Sequence, residues 1–256
     1  MQGYRHIHSV WNFRVKLAVT FYDDWAESLR FTWADIRSIL VGGVVAHFKM
    51  LQAYTGESRQ PDEALYSACE SDIEQTPIFR AYKVIYDYAN DAILPPDDAP
   101  LEEYLRIAIA FRLELVYANE LYGMDIGQAT GTPESPRYAI AVHTGRALET
   151  LLCGFLARWK LDVPGTTEDD DAVRIWAHMF AAAHPELLSL SEIAVLADIQ
   201  ERSVRNYTHS TRDGLERLRT LKVGGRTYVT PHDAKEWLSR RRRFIPTRRT
   251  LASDNH

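Results

Sequence analysis

The sequence predicts a mainly α-helical chain, with an N-terminal multi-helix bundle and a small C-terminal domain that carries one β-hairpin. Three observations predict it. Apolar residues recur at three- and four-residue spacing through most of the first 185 positions, the pattern of helices that bury one face. A Gly-Gly pair in LKVGGRTYVT, residues 221–230, sits between two short β-prone runs and reads as a tight hairpin, because such turns need positive φ that glycine supplies without steric cost. The charge also changes sign along the chain. Residues 186–256 hold 14 Lys and Arg against 9 Asp and Glu, net +5, whereas the first 185 hold 16 against 26, net −10.

The elements follow in order. VWNFRVKLAVTFYDDWAESLRF and WADIRSILVGGVVAHFKMLQAY have the spacing of amphipathic or buried helices. TPIFRAYKVIYDYANDAI opens with Thr76 as N-cap and Pro77 at the first helical position. In LPPDDAPLEEYLRIAIAFRLELVYANELYG the prolines mark a loop, and Glu102 and Glu103 fall near the positive end of the next helix dipole. After the turn-rich GQATGTPESPR come YAIAVHTGRALETLLCGFLARWKL, the polar loop DVPGTTEDDD, and AVRIWAHMFAAAH. This is a bundle of about six or seven helices with no repeat of fixed period. The domain boundary is placed near Pro185, giving an assembly or sensing domain over 1–185, a second domain over 186–243 and a basic tail over 244–256.

Composition narrows the function classes. With 46% hydrophobic and 25% charged residues over 256 positions, the chain suits one large or two modest globular domains. Its apolar runs fall short of the roughly 20 residues of a membrane helix, and its start, MQGYRHIHSVWNF, lacks a signal-peptide core, so a cytoplasmic, nucleoid-associated protein is expected. Cys69 and Cys153 cannot build a disulfide framework or a four-cysteine zinc site, and buried thiols are expected. A basic C-terminal part beside an acidic remainder points to a polyanion met only by the former.

Residues 190–207, LSEIAVLADIQERSVRNY, fit two short helices crossing steeply, one over Ser191–Ala197 and a second from about Glu201, with Ile193, Leu196, Ala197, Val204 and Tyr207 turned inward. Together with LKVGGRTYVTPHDAKEWL, this stretch resembles the winged helix-turn-helix of phage excisionases and MerR-type regulators. In that family a helix-turn-helix precedes a hairpin wing, and a closing helix opens with proline and ends in a Trp-Leu pair. Thr230, Pro231, Trp237 and Leu238 stand at the matching places. Departures are Asp198 in the turn, where glycine is usual, Gln200 at the N-cap, where Ser or Thr is usual, and a longer connection, THSTRDGLERLRT.

The resemblance implies a module that binds double-stranded DNA. The second helix would present Glu201, Arg202, Arg205 and Asn206 to the major groove, where Arg reads guanine and Asn reads adenine. Ser203 would touch phosphate or pack internally. Lys222 and Arg226 on the wing suit phosphate or minor-groove contact, and Arg240, Arg241, Arg242 and Arg243, followed by Arg248 and Arg249, read as an electrostatic arm.

Rival chemistries find less support. Asp23, Asp24 and Glu27 in YDDWAE have a spacing that could share magnesium, but no second metal-binding segment accompanies them, and a solvated helix face explains them. Asp169–Asp171 read as a loop opening the next helix. His6, His8, His143, His178 and His184 make no ligand motif, and neither a P-loop, a nucleophile elbow nor a dinucleotide fingerprint occurs. No catalytic residue, metal or cofactor is expected. The aromatic residues Trp11, Phe13, Phe21, Tyr22, Trp25, Phe31 and Trp33 read as core, with a ligand pocket or subunit interface as alternatives. The expectation is a transcriptional regulator or excisionase-like architectural factor that works as a homodimer, with a small-molecule or protein effector as a further partner of the helical domain. Two alternatives remain open: a protein-docking adaptor that uses the same module, and an all-helical enzyme with a C-terminal targeting module.

Overall fold

A computed structural model describes residues 31–55, 70–95, 101–122, 136–163, 184–209 and 216–249. The expected first helix before Phe31, the carboxylates Asp23, Asp24 and Glu27, Asp169–Asp171, Cys69, His6, His8 and His178 lie outside the described residues. Among the described residues the chain is mainly helical and includes a small three-stranded antiparallel sheet. Its elements are α1 (Trp33–Thr55), a 3-10 turn (Ile73–Gln75), α2 (Pro77–Asp91), β1 (Ile93–Leu94), α3 (Leu101–Tyr122), α4 (Pro136–Asp162), β2 (Leu188–Ser189), α5 (Leu190–Ala197), α6 (Glu201–Tyr207), β3 (Leu221–Val223), β4 (Arg226–Val229), α7 (Pro231–Leu238) and β5 (Arg248–Arg249). Two compact units divide within α4, one containing Phe31–Leu152 and the other Cys153–Arg248.

In the first unit, the expected caps form. Thr76 accepts a hydrogen bond from the Phe79 amide, Pro77 opens α2, and Ala92 closes it in the left-handed region at φ 56°. α2 buries Ala81, Tyr82, Ile85, Tyr88 and Ala89, one face of a 3.6-residue repeat. The Tyr82 hydroxyl donates to the Ala108 carbonyl at 2.9 Å, and burial pushes its phenol above the usual tyrosine range. Trp33 is half-buried and packs edge-on against Phe79 and Tyr86. Gly43 has a steric reason: a Cβ there would stand 2.5 Å from the Phe111 ring.

The second unit is organised by the last turns of α4. Every residue from Cys153 to Leu161 is buried, including Arg158 and Lys160. Lys160 Nζ donates to Glu192 Oε1 at 2.6 Å and to the Leu187 carbonyl at 3.2 Å. Arg158 donates to the Ile245 carbonyl at 2.8 Å and the Thr247 hydroxyl at 3.1 Å, and Thr247 donates in turn to Asp162 at 2.7 Å. The residues at 244–247, read above as the start of a basic tail, are therefore held against α4. Burying two cations is costly unless their donors find acceptors, which the Leu187 carbonyl and Glu192 carboxylate supply to Lys160 and the Ile245 carbonyl and Thr247 hydroxyl supply to Arg158.

The sheet order is β2-β4-β3, all antiparallel, with β4 in the centre. Leu188 pairs with Val229 and Ser189 with Tyr228 on one side; Leu221 pairs with Tyr228 and Val223 with Arg226 on the other. The two strands of the hairpin flank the Gly-Gly pair as predicted, and β2 is an addition that two residues of sequence could not announce. It supplies the third strand that a short ribbon needs for stability.

Two outcomes are expected in chemical denaturation of the full chain. Lys160→Met leaves the Glu192 carboxylate buried without its cation and should cost about 3–5 kcal/mol, whereas Lys160→Met combined with Glu192→Gln should recover much of that loss. Equal losses in the single and double variants would show that the pair is not coupled. At the hairpin tip, Gly225→Ala should cost about 1 kcal/mol because φ there is +79°, while Gly224→Asn should be nearly neutral.

Candidate nucleic-acid interface

α5 begins one residue earlier than its sequence pattern predicts, because Ser189 and Glu192 form a capping box. The Ser189 hydroxyl accepts from the Glu192 amide, and Glu192 Oε2 accepts from the Ser189 amide at 2.7 Å. Ile193, Leu196 and Ala197 are buried as expected. Asp198 ends the helix at φ 51°, ψ 50°, and the Ile199 amide donates back to the Ala194 carbonyl at 3.1 Å. α6 starts three residues later. Gln200 at its N-cap makes no side-chain capping bond, in keeping with the poor capping propensity of Gln. Two short helices joined by a tight left-handed turn result.

α6 buries Val204 and turns Arg202, Arg205 and Asn206 outward. Ser203 is half-buried. Glu201 is only 17% exposed: it accepts from the Ser191 hydroxyl on α5, and one of its oxygens accepts both Arg205 Nε at 2.9 Å and Nη2 at 2.6 Å. Glu201 is thus an internal brace. Glu201, expected to face the major groove, instead pairs with Arg205 four residues on along the same helix face.

The same unit carries the hairpin. Gly224 and Gly225 have φ of +56° and +79°, the two positive values of a type I′ turn, and a Cβ built on either would meet nothing within 4 Å. The tip is bare backbone. Lys222 lies opposite Thr227 and Arg226 opposite Val223, so the period-two pleat sends the two exposed cations to opposite faces of the ribbon.

The four consecutive arginines divide by environment. The Arg241 guanidinium lies 4.3 Å over the Tyr207 ring and 4.0 Å over the Trp237 ring. Tyr207 and Trp237 meet edge to face at 5.3 Å, and Trp237 Nε1 donates to the Glu216 carbonyl at 3.0 Å. Arg241 is a structural cation fastening α6 to α7 rather than a solvated member of an arm. Arg240 pairs with Glu236 one turn earlier, and Arg243 reaches the Asp198 carbonyl at 3.2 Å and its carboxylate at 3.6 Å. Arg242 is exposed. The Leu218 amide donates to the Tyr207 carbonyl at 2.8 Å, anchoring the end of the long connection beside α6.

The exposed side chains of α6 and the hairpin offer guanidinium forks, an amide and an ammonium to solvent, groups that match base edges and phosphates in hydrogen-bonding capacity. Among the described residues, no group of three or more His, Cys, Asp or Glu side chains could hold a metal ion, and no helix is long and apolar enough to cross a membrane. His184 uses its ring nitrogen to accept from the Glu186 and Leu187 amides, a structural role. No protein-family model, curated protein or solved structure matches the chain.

Arg241→Ala should lower stability by about 1–2 kcal/mol through loss of two ring contacts, whereas Arg242→Ala, a few ångströms along the same run, should stay within about 0.5 kcal/mol. Equal effects of the two on thermal unfolding would contradict the division of the arginines.

Proposed function

We propose that the C-terminal unit is a winged helix-turn-helix module that binds double-stranded DNA, and that the protein acts as a transcriptional regulator or excisionase-like architectural factor. The observation that supports this most strongly is the presence in one compact unit of α6, with Arg202, Arg205 and Asn206 outward, and a glycine-tipped hairpin with Lys222 and Arg226 outward. On this reading α6 is the recognition helix and the hairpin is the wing. The major groove admits a helix, and the bare tip lets backbone approach a phosphate or the minor groove closely. Because Lys222 and Arg226 diverge from the two sides of the ribbon, the wing would touch two phosphates rather than clamp one.

Arg240, Arg242 and Arg243 would add sequence-independent attraction, and the ion pairs of Arg240 and Arg243 with Glu236 and Asp198 temper their share of it. The module is small, and the affinity of one copy gains from pairing, which favours a homodimer acting on two half-sites in the cytoplasm.

The test is competition binding by the full chain at several salt concentrations. Affinity for duplex should fall steeply with salt, and Arg226→Ala or Arg242→Ala should weaken all sequences alike and flatten the slope by about one unit per lost phosphate contact. Arg202→Ala should instead cost about 1–3 kcal/mol on preferred sequences and less on scrambled ones. Binding that ignores salt would remove the phosphate contacts, and no binding to any duplex would favour the protein-docking alternative.

A further inference from the structure

The tip of the hairpin, residues 222–226, is exposed at every position, and a Cβ on either glycine would meet nothing within 4 Å. Gly224 sits at φ +56°, a value that asparagine also adopts, so the turn itself does not require a bare residue there. Val223 is 40% exposed, an apolar side chain at the point where the ribbon's own packing ends. The register places it directly across from Arg226, on the face that runs down to the buried Tyr228, while Lys222 and Thr227 stand on the other face. Among the described residues, Lys222 and Arg226 make no hydrogen bond or ion pair, and residues 217–232 contain no Asp or Glu to neutralise them.

We propose that this tip enters the minor groove of duplex DNA and that Val223 selects A·T pairs there. This deepens the DNA-binding reading and rests on it. The minor groove is about 6 Å wide, too narrow for a helix of about 10–12 Å diameter but open to a two-residue turn without side chains. Its walls are the phosphate backbones of opposite strands, and the divergent Lys222 and Arg226 meet one wall each. Its floor carries the 2-amino donor of guanine at a G·C pair, and at the same place adenine has only a C–H. Val223 therefore meets an apolar edge at A·T and strips the water from a donor without an acceptor at G·C. The two cations hold the tip in the groove without base preference, and the apolar side chain supplies the discrimination.

The test compares binding of the full-length protein to a duplex built only of G·C pairs and to the same duplex with inosine in place of every guanine. Inosine lacks the minor-groove amino group and keeps the major-groove edge of guanine, so α6 meets the same surface in both. Wild type should bind the inosine duplex roughly 10-fold more tightly, within the range of one wrong base pair. Val223→Ala should narrow that ratio to about 2-fold, and Val223→Asn, whose amide oxygen accepts from the amino group, should abolish it. Arg226→Ala should weaken both duplexes alike and keep the ratio, because a phosphate contact carries no base information. A ratio that neither Val223 variant changes overturns the inference. If wild type binds both duplexes equally and in a salt-dependent way, this inference falls and the DNA-binding reading stands. If salt-dependent binding to either duplex is absent, both fall.

Discussion

The C-terminal unit depends first on the buried carboxylate of Glu192. One oxygen meets Lys160 from α4 and the other meets the Ser189 amide at the start of α5. A single side chain thereby fixes a helix end, satisfies a buried ammonium and sets α5 on the last turns of α4. Ser189 is also a residue of β2, paired with Tyr228 of the central strand, so the same site establishes where the sheet begins. An apolar contact of similar size would bury area without fixing direction; a hydrogen-bonded ion pair tolerates far less displacement before its donors are orphaned.

A second clamp joins α6 to α7. Arg241 stacks on Tyr207 of α6 and Trp237 of α7, and the Glu216 carbonyl receives the indole N–H. α6 and the hairpin, the elements that carry the outward cations, belong to the same unit. Such an arrangement suits recognition, because side chains on braced elements lose little entropy when they engage a partner.

Much of this was legible. The Gly-Gly pair marked the hairpin turn, Thr230 and Pro231 opened α7, and the turn expected at Asp198 forms with that residue in the left-handed region. Those signals are local, and the chemistry that produces them lies within four residues. The capping box at Ser189 and Glu192 was equally local but was overshadowed by the apolar pattern that starts at Ile193. What could not be read was the set of contacts between distant positions. Lys160 and Glu192 stand 32 residues apart, and nothing in a run of four arginines distinguishes Arg241 from its neighbours until Tyr207 and Trp237 are brought beneath it. Charge type was visible in the sequence; whether a charge faces solvent or a ring was not.

The central claim, that α6 and the hairpin form one DNA-binding face, is tested most directly by amide hydrogen exchange of the full chain with and without a saturating duplex. Slowed exchange should concentrate in residues 201–207 and 221–229 and leave α2, Pro77–Asp91, unchanged. Protection centred on α2, or none on α6 and the hairpin while duplex is bound, would contradict the account.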